Sequence, residues 1–168
     1  MTQMTPIDWA KRPILEKYAD FTGRAPRAEY WWFVLAMVIL FFVLTIIESI
    51  VGLNKMIFGV YGPLTALLWL GVLVPSLSVG VRRLHDTNRS GWWLLLMVPY
   101  ALAGVMMVRS MSAAAATGTA PGFGAAGIVG LIGFVCVIVL LVFYCLAGTA
   151  GDNQYGPDPY GEGGGATA

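Results

Sequence analysis

The chain has 168 residues, of which 58% are hydrophobic and 11% charged, with a net charge of +1 and a mean hydropathy of +0.74. A soluble domain carries about 25% charged residues, so a water-soluble globular fold is excluded. The ten basic residues are too few and too divided among the joints to form a nucleic-acid surface.

The reading is therefore all-α: a polytopic membrane protein built as a four-transmembrane-helix bundle, with a short N-terminal interfacial helix and an irregular C-terminal tail. The first thirty residues are polar and hold no apolar core ahead of a small-residue cleavage site. No cleavable leader is expected, and the first span doubles as the export signal. Ile14, Leu15, Tyr18 and Phe21 recur at helical spacing, with Glu16, Lys17 and Asp20 between them. With Pro13 at the first helical position, they predict an interfacial helix over residues 13–21, the alternative being an unstructured polar leader. Gly23 permits a turn, and Pro26 can start the first membrane helix.

Four apolar stretches follow, at 31–51, 57–81, 92–108 and 123–147. Each is close to the roughly 20 residues a helix needs to cross a hydrocarbon core of about 30 Å. Glu48 is the one acid within a span and stands near its outer end. An intramembrane acid is a functional candidate, but this position favours a carboxylate that reaches the outer interface or pairs with Lys55 or Arg109. Pro75 and Pro99 are expected to bend spans two and three, with Ser76 and Ser78 as candidates to satisfy the freed carbonyls. Residues 110–122 read as a flexible outer loop. Gly124, Gly127, Gly130 and Gly133 form a stripe where another helix can approach closely, either within the chain or in a homo-oligomer. Residues 1–160 are taken as a single membrane domain and 161–168 as a disordered Gly-rich tail.

The basic residues set the orientation. Lys11, Arg12, Lys17, Arg24 and Arg27 precede span one, and Arg82, Arg83 and Arg89 lie between spans two and three. The two other joints hold only Lys55 and Arg109. The positive-inside rule puts the first eight, and with them both termini, in the cytoplasm. Tyr30, Trp31, Trp32, Trp92 and Trp93 fall at that same interface. Cys136 and Cys145 are nine residues apart on one helix, about 13.5 Å of rise, so they read as buried thiols that cannot bridge to each other. His85 is the sole histidine and no Cys/His cluster exists, so no metal or other cofactor is expected.

Three polar clusters carry the remaining information. They are Phe21-Thr-Gly-Arg-Ala-Pro-Arg-Ala-Glu-Tyr-Trp31, Arg82-Arg-Leu-His-Asp-Thr-Asn-Arg-Ser-Gly-Trp-Trp93 and Gly148-Thr-Ala-Gly-Asp-Asn-Gln-Tyr-Gly-Pro-Asp-Pro159. Together, in this order and between spans of this length, they resemble the domain-of-unknown-function 805 family, the YhaH-like bacterial inner-membrane proteins. That pattern has a Gly-Arg-x-x-Arg-x-Glu-[Tyr/Phe]-Trp entry, an Arg-Arg-Leu-His-Asp joint leading to Ser-Gly-Trp, and an Asn-x-Tyr-Gly-x-Asp-Pro tail. The resemblance covers roughly residues 15–160, the long Ala/Gly outer loop being the departure. It implies a multi-pass protein of the bacterial inner membrane and supplies no activity.

Arg82 and Arg83 suit the negative C-terminus of span two and can grip anionic headgroups. Asp86, Thr87 and Asn88 are turn formers, and Ser90 is a candidate N-cap for span three. Asp152 and Asp158 of the tail are expected to find arginines across the cap. The candidate site is then a cytoplasmic polar cap of Arg24, Arg27, Glu29, Arg82, Arg83, His85, Asp86, Arg89, Asn153, Tyr155 and Asp158, open to anionic membrane lipids or a protein partner. A non-catalytic role is expected, since no nucleophile elbow, phosphate loop or metal-ligand set is present. The alternatives are a small-solute transporter or channel subunit, and a headgroup-modifying enzyme using His85 and Asp86.

Overall fold

The structure, a computed structural model, describes residues 4–53, 62–120, 122 and 124–161. Lys55, residues 57–61 of the expected second span, residue 123, and the tail from 162 onward, Glu162 included, lie outside the described residues. The regular structure is helical, with one isolated bridge between Asn153 and Gly156. The helices are α1 (Pro6–Leu15), α2 (Arg27–Val51), α3 (Pro63–Asp86), a 3-10 segment (Gly91–Met97), α4 (Val98–Thr117) and α5 (Gly124–Cys145). Among the described residues, four stretches are long and apolar enough to cross a membrane: Arg27–Val51, Pro63–Asp86, Gly91–Thr117 and Gly124–Cys145. This is the all-α, four-span architecture expected from the sequence. The chain forms two compact units, one of α1 to α3 with the tail, the other of the 3-10 segment, α4 and α5.

In the first unit, the N-terminal helix lies earlier than its apolar spacing suggests. Thr5 is the N-cap of α1: its hydroxyl accepts from the Asp8 amide, while the Asp8 carboxylate accepts from the Thr5 amide. Pro6 takes the first helical position, and Pro13 is buried inside the helix. Pro13 cannot donate to the carbonyl one turn back, and α1 stops two residues later. Residues 16–21, expected to be helical, instead form turns in which Lys17 pairs with Asp20 at 2.6 Å and Asp20 accepts from Thr22.

That non-helical segment packs on α3 through two polar bonds. Ser78 Oγ donates to the Lys17 carbonyl at 2.9 Å, and Tyr18 Oη donates to the Gly71 carbonyl at 2.6 Å. Gly71 is four residues before Pro75, so its carbonyl is the one that Pro75 leaves without a helical donor. The satisfying group is therefore a tyrosine from the N-terminal segment, and not Ser76 or Ser78. Ala25, Phe33 and Val79 form the buried apolar core beside this contact, flanked by Ile14, Tyr30, Val34 and Met37.

At the opposite end of α2, Glu48 is buried, contrary to the expectation of an outward-reaching carboxylate. Its oxygens accept from the Leu64 and Thr65 amides and from Thr65 Oγ1, the last two at 3.0 and 2.5 Å. A carboxylate here satisfies first-turn donors of α3 and complements the positive end of that helix. Gly52 ends α2 with φ +79, and Gly62 leaves room for the Glu48 carboxylate, which a Cβ would strike.

In the second unit, α4 continues to Thr117 and is closed by Gly118 at φ +67. The segment read as an outer loop is thus helical for two more turns. Its run of four alanines, 113–116, explains this, because alanine is the strongest helix former. Pro99 lies in the first turn of α4, where a proline costs no hydrogen bond, so it does not kink a helix interior. Gly133 of α5 faces the Pro99–Tyr100 backbone so closely that a Cβ would overlap it, and Gly130 faces Ala103. Gly124 and Gly127 face open space. Half of the glycine stripe therefore serves contact within the chain.

Candidate functional site

The last turns of α3 aim Arg82, Arg83 and Asp86 inward, all at 2% exposure or less. Charged groups so buried must be paired, and two carboxylates do the pairing. Glu29, in the first turn of α2, accepts from Arg82 Nη1 at 2.5 Å on one oxygen and from Arg12 Nη1 at 3.1 Å on the other. Asp86 accepts from Arg24 Nε at 3.0 Å on Oδ1 and from Arg83 Nη1 on Oδ2. The Ala25 amide donates to the Arg82 carbonyl at 2.9 Å, which fixes the entry to α2 against the end of α3.

The tail is bound to the same cluster through its backbone. Arg24 Nη1 donates to the Gly151 carbonyl and Nη2 to the Thr149 carbonyl. The Thr149 amide and hydroxyl both donate to the Asp86 carbonyl. Gly148 passes so close to the Asp86 carboxylate that any Cβ would collide with it. Asn153 Nδ2 donates to the His85 carbonyl, and Tyr155 stacks on the His85 ring at 3.9 Å with the planes 2° apart. His85 Nδ1 lies 3.2 Å from the Gly23 carbonyl, which can only accept, so Nδ1 carries the proton.

The tail acids do not pair with arginines as the sequence suggested. Asp158 accepts from the Gly151 and Tyr160 amides, and Asp152 accepts from the Asp158 amide. They fold the tail on itself, because its turns at φ-positive glycines leave backbone amides that need local acceptors. The Tyr160 amide, then the Gly151 amide and the more distant charge of Arg24, hold the Asp158 carboxyl below its usual range. Burial, then the charge of Asp86, pushes the Tyr160 hydroxyl up.

Of the expected residues, Arg24, Glu29, Arg82, Arg83, His85, Asp86, Asn153 and Tyr155 share this cluster. Arg27 is exposed, and Arg89 donates to the Thr87 carbonyl within the turn after α3. Arg12 belongs to the cluster and was missed. Its signal was the Thr5-x-x-Asp8 capping box, which starts α1 early enough to bring Arg12 onto the helix. The arrangement places four guanidinium groups on two buried carboxylates. Arg12 Nε, Arg82 Nε and Arg82 Nη2 are buried donors with no hydrogen-bond partner among the described residues.

The family model described as "Protein of unknown function (DUF805)" matches residues 18–157, which include the first two motifs, the third as far as Pro157 and nearly the whole cluster. The inner membrane protein YhaH of Escherichia coli strain K12 is 35% identical over 153 residues, covering 91% of this chain and 97% of that protein. The inner membrane protein YhaI of the same strain is 34% identical over 147 residues, covering 87% and 91%. The uncharacterized protein YiiR of that strain is 30% identical over 146 residues, covering 83% and 85%. No solved structure matches the chain. With four apolar helices and relatives that are inner membrane proteins, the chain belongs to the DUF805 family of membrane proteins.

Proposed function

We propose that the protein is a non-catalytic inner-membrane protein with both termini in the cytoplasm, whose polar cap holds anionic lipid headgroups at the inner leaflet. One observation carries this reading: four arginines converge on two buried carboxylates, Glu29 and Asp86, with the exposed Glu16 adding only a 3.5 Å contact to Arg12, and all four lie in the stretches 11–27 and 82–89 that hold eight of the ten basic residues. Positive charge in excess of buried carboxylate is costly near a low-dielectric core unless an anion lies close by. Anionic headgroups of the inner leaflet supply that charge and attract each nearby Lys or Arg by about 1 kcal/mol.

The engagement of the candidate acid–base pair supports a non-catalytic role. Asp86 is fixed between Arg24 and Arg83, and His85 is stacked on Tyr155 with Nδ1 on a backbone carbonyl. Asp86, held by two guanidinium groups, is not left poised to exchange a proton with a substrate.

Native mass spectrometry of the protein released from its own membrane tests the proposal. Phosphatidylglycerol or cardiolipin should be retained in excess of its share of the bulk lipid. Retained lipid that mirrors the bulk composition would reject headgroup selection.

A further inference from the structure

An apolar groove of about 340 Å³ runs between α1 and the first half of α2, within the range of about 300–1,000 Å³ usual for ligand pockets. Ile7, Ala10 and Ile14 form one wall, and Trp32, Leu35 and Ile39 the other. Lys11 contributes the one charged side chain of the lining, and Lys11 is exposed. The next residue, Arg12, keeps 28% of its side chain open and carries a buried Nε with no hydrogen-bond partner. Behind it, Arg82 shares Glu29 with Arg12 and has two further donors unpartnered among the described residues. Glu16 lies 3.5 Å from Arg12 Nε but is mostly exposed, where its charge is screened. The groove thus has greasy walls and a positive rim beside a buried cluster that is short of negative charge.

We infer that this groove seats one acyl chain of an anionic phospholipid whose phosphate pairs with Lys11 and Arg12. The inference deepens the headgroup reading by moving the contact from the buried cap arginines to the α1–α2 rim. Charge complementarity selects the occupant. A free phosphate would leave the apolar walls uncovered, and a zwitterionic lipid would bring no net charge to the rim. Trp32, 40% exposed in the wall, places the groove at the depth where amphipathic rings meet headgroups.

The test uses the full chain in detergent, titrated with phosphatidylglycerol and phosphatidylcholine of matched acyl chains and read by native mass spectrometry. The wild type should hold phosphatidylglycerol in preference. Lys11→Glu should lower that preference by about fivefold, and Ala10→Phe, which fills the groove, should reduce binding of both lipids. Ala36→Leu fills the same groove from the α2 side and should repeat the effect of Ala10→Phe. Lys11→Glu should melt like the wild type in lipid-free detergent, since Lys11 makes no buried bond, and agreement between Ala10→Phe and Ala36→Leu separates filling of the groove from damage to either helix. Undiminished preference in Lys11→Glu together with undiminished binding in Ala10→Phe and Ala36→Leu overturns the groove while leaving headgroup selection intact. A wild type without preference overturns both.

Discussion

Arg24 and Asp86 stand 62 positions apart in the chain and meet through a bond of 3.0 Å, with 2% and 3% of their side chains exposed. The same guanidinium takes two tail carbonyls, and the same carboxylate takes Arg83. One ion pair thereby joins the segment before α2, the end of α3 and the tail. Removing one partner leaves a buried charge uncompensated, which costs about 3–5 kcal/mol. Asp86→Ala is expected to lose that much, and Asp158→Ala, whose carboxylate caps exposed tail amides, well under half of it. Thermal unfolding in detergent compares the two, and equal losses would contradict the cluster as drawn. Arg24→Lys should also destabilise, because a lysine cannot reach Asp86 and two carbonyls with one planar fork.

The Tyr18 hydroxyl on the Gly71 carbonyl predicts a coupling with Pro75. Tyr18→Phe leaves that carbonyl without a donor, at a cost of about 1–3 kcal/mol. Pro75→Ala restores the helical N–H that the carbonyl lacks. In that background Tyr18→Phe should cost close to nothing. A double-mutant cycle read by unfolding checks this, and additive costs would disprove the link.

Glycines of the α5 stripe should separate into two classes. Gly133→Ala drives a Cβ into the Pro99–Tyr100 backbone and should destabilise by about 1–3 kcal/mol. Gly127→Ala meets nothing within 4 Å and should stabilise the helix by about 0.5–1 kcal/mol. Unfolding of each single variant decides it. If Gly127→Ala instead weakens self-association in cross-linking, the open half of the stripe is a homo-oligomer face.

Acid sensitivity follows from two carboxyls outside the membrane. The Lys17 ammonium, followed by the Thr22 hydroxyl and amide, holds Asp20 well below the usual range, and tail amides lower Asp158. A carboxyl lowered in the folded state contributes stability that is complete above its unfolded value, about 3.9. That contribution is lost as pH falls through the folded value. Melting temperature should therefore be insensitive to these two groups from pH 7 to about 5 and decline below about pH 4. Asp20→Asn should lower the plateau and shallow the acid limb. An unchanged acid limb would show that Asp20 is not held in this way.

The membrane helices were legible because apolar runs near 20 residues admit one structure in lipid. The ends of elements were less so. Pro6 and Pro13 compete for the first position of α1, and only the Thr5–Asp8 box decides between them. The alanines at 113–116 look like loop filler by composition, yet they extend α4. In the cluster, the arginines could be read from charge and position, but their partners could not. Asp152 and Asp158 share a side and a sign with Glu29 and Asp86. What separates them is that Glu29 and Asp86 sit on helix turns that face inward, while the tail acids face their own backbone. Glu48 shows the same limit: its role depends on the start of α3, 16 residues away, where a first turn needs an acceptor.

The most direct measurement of the account is the side of the membrane on which the tail lies, since the cluster binds the tail to the arginine-rich end. Gln154, exposed beside the Asn153–Gly156 bridge, offers the probe. A Gln154→Cys variant with Cys136 and Cys145 replaced by alanine would be treated with a membrane-impermeant maleimide. Labelling is expected in inside-out vesicles and none in intact spheroplasts. Labelling in intact spheroplasts would place the tail and the arginine cluster outside, and would contradict an inner-leaflet cap.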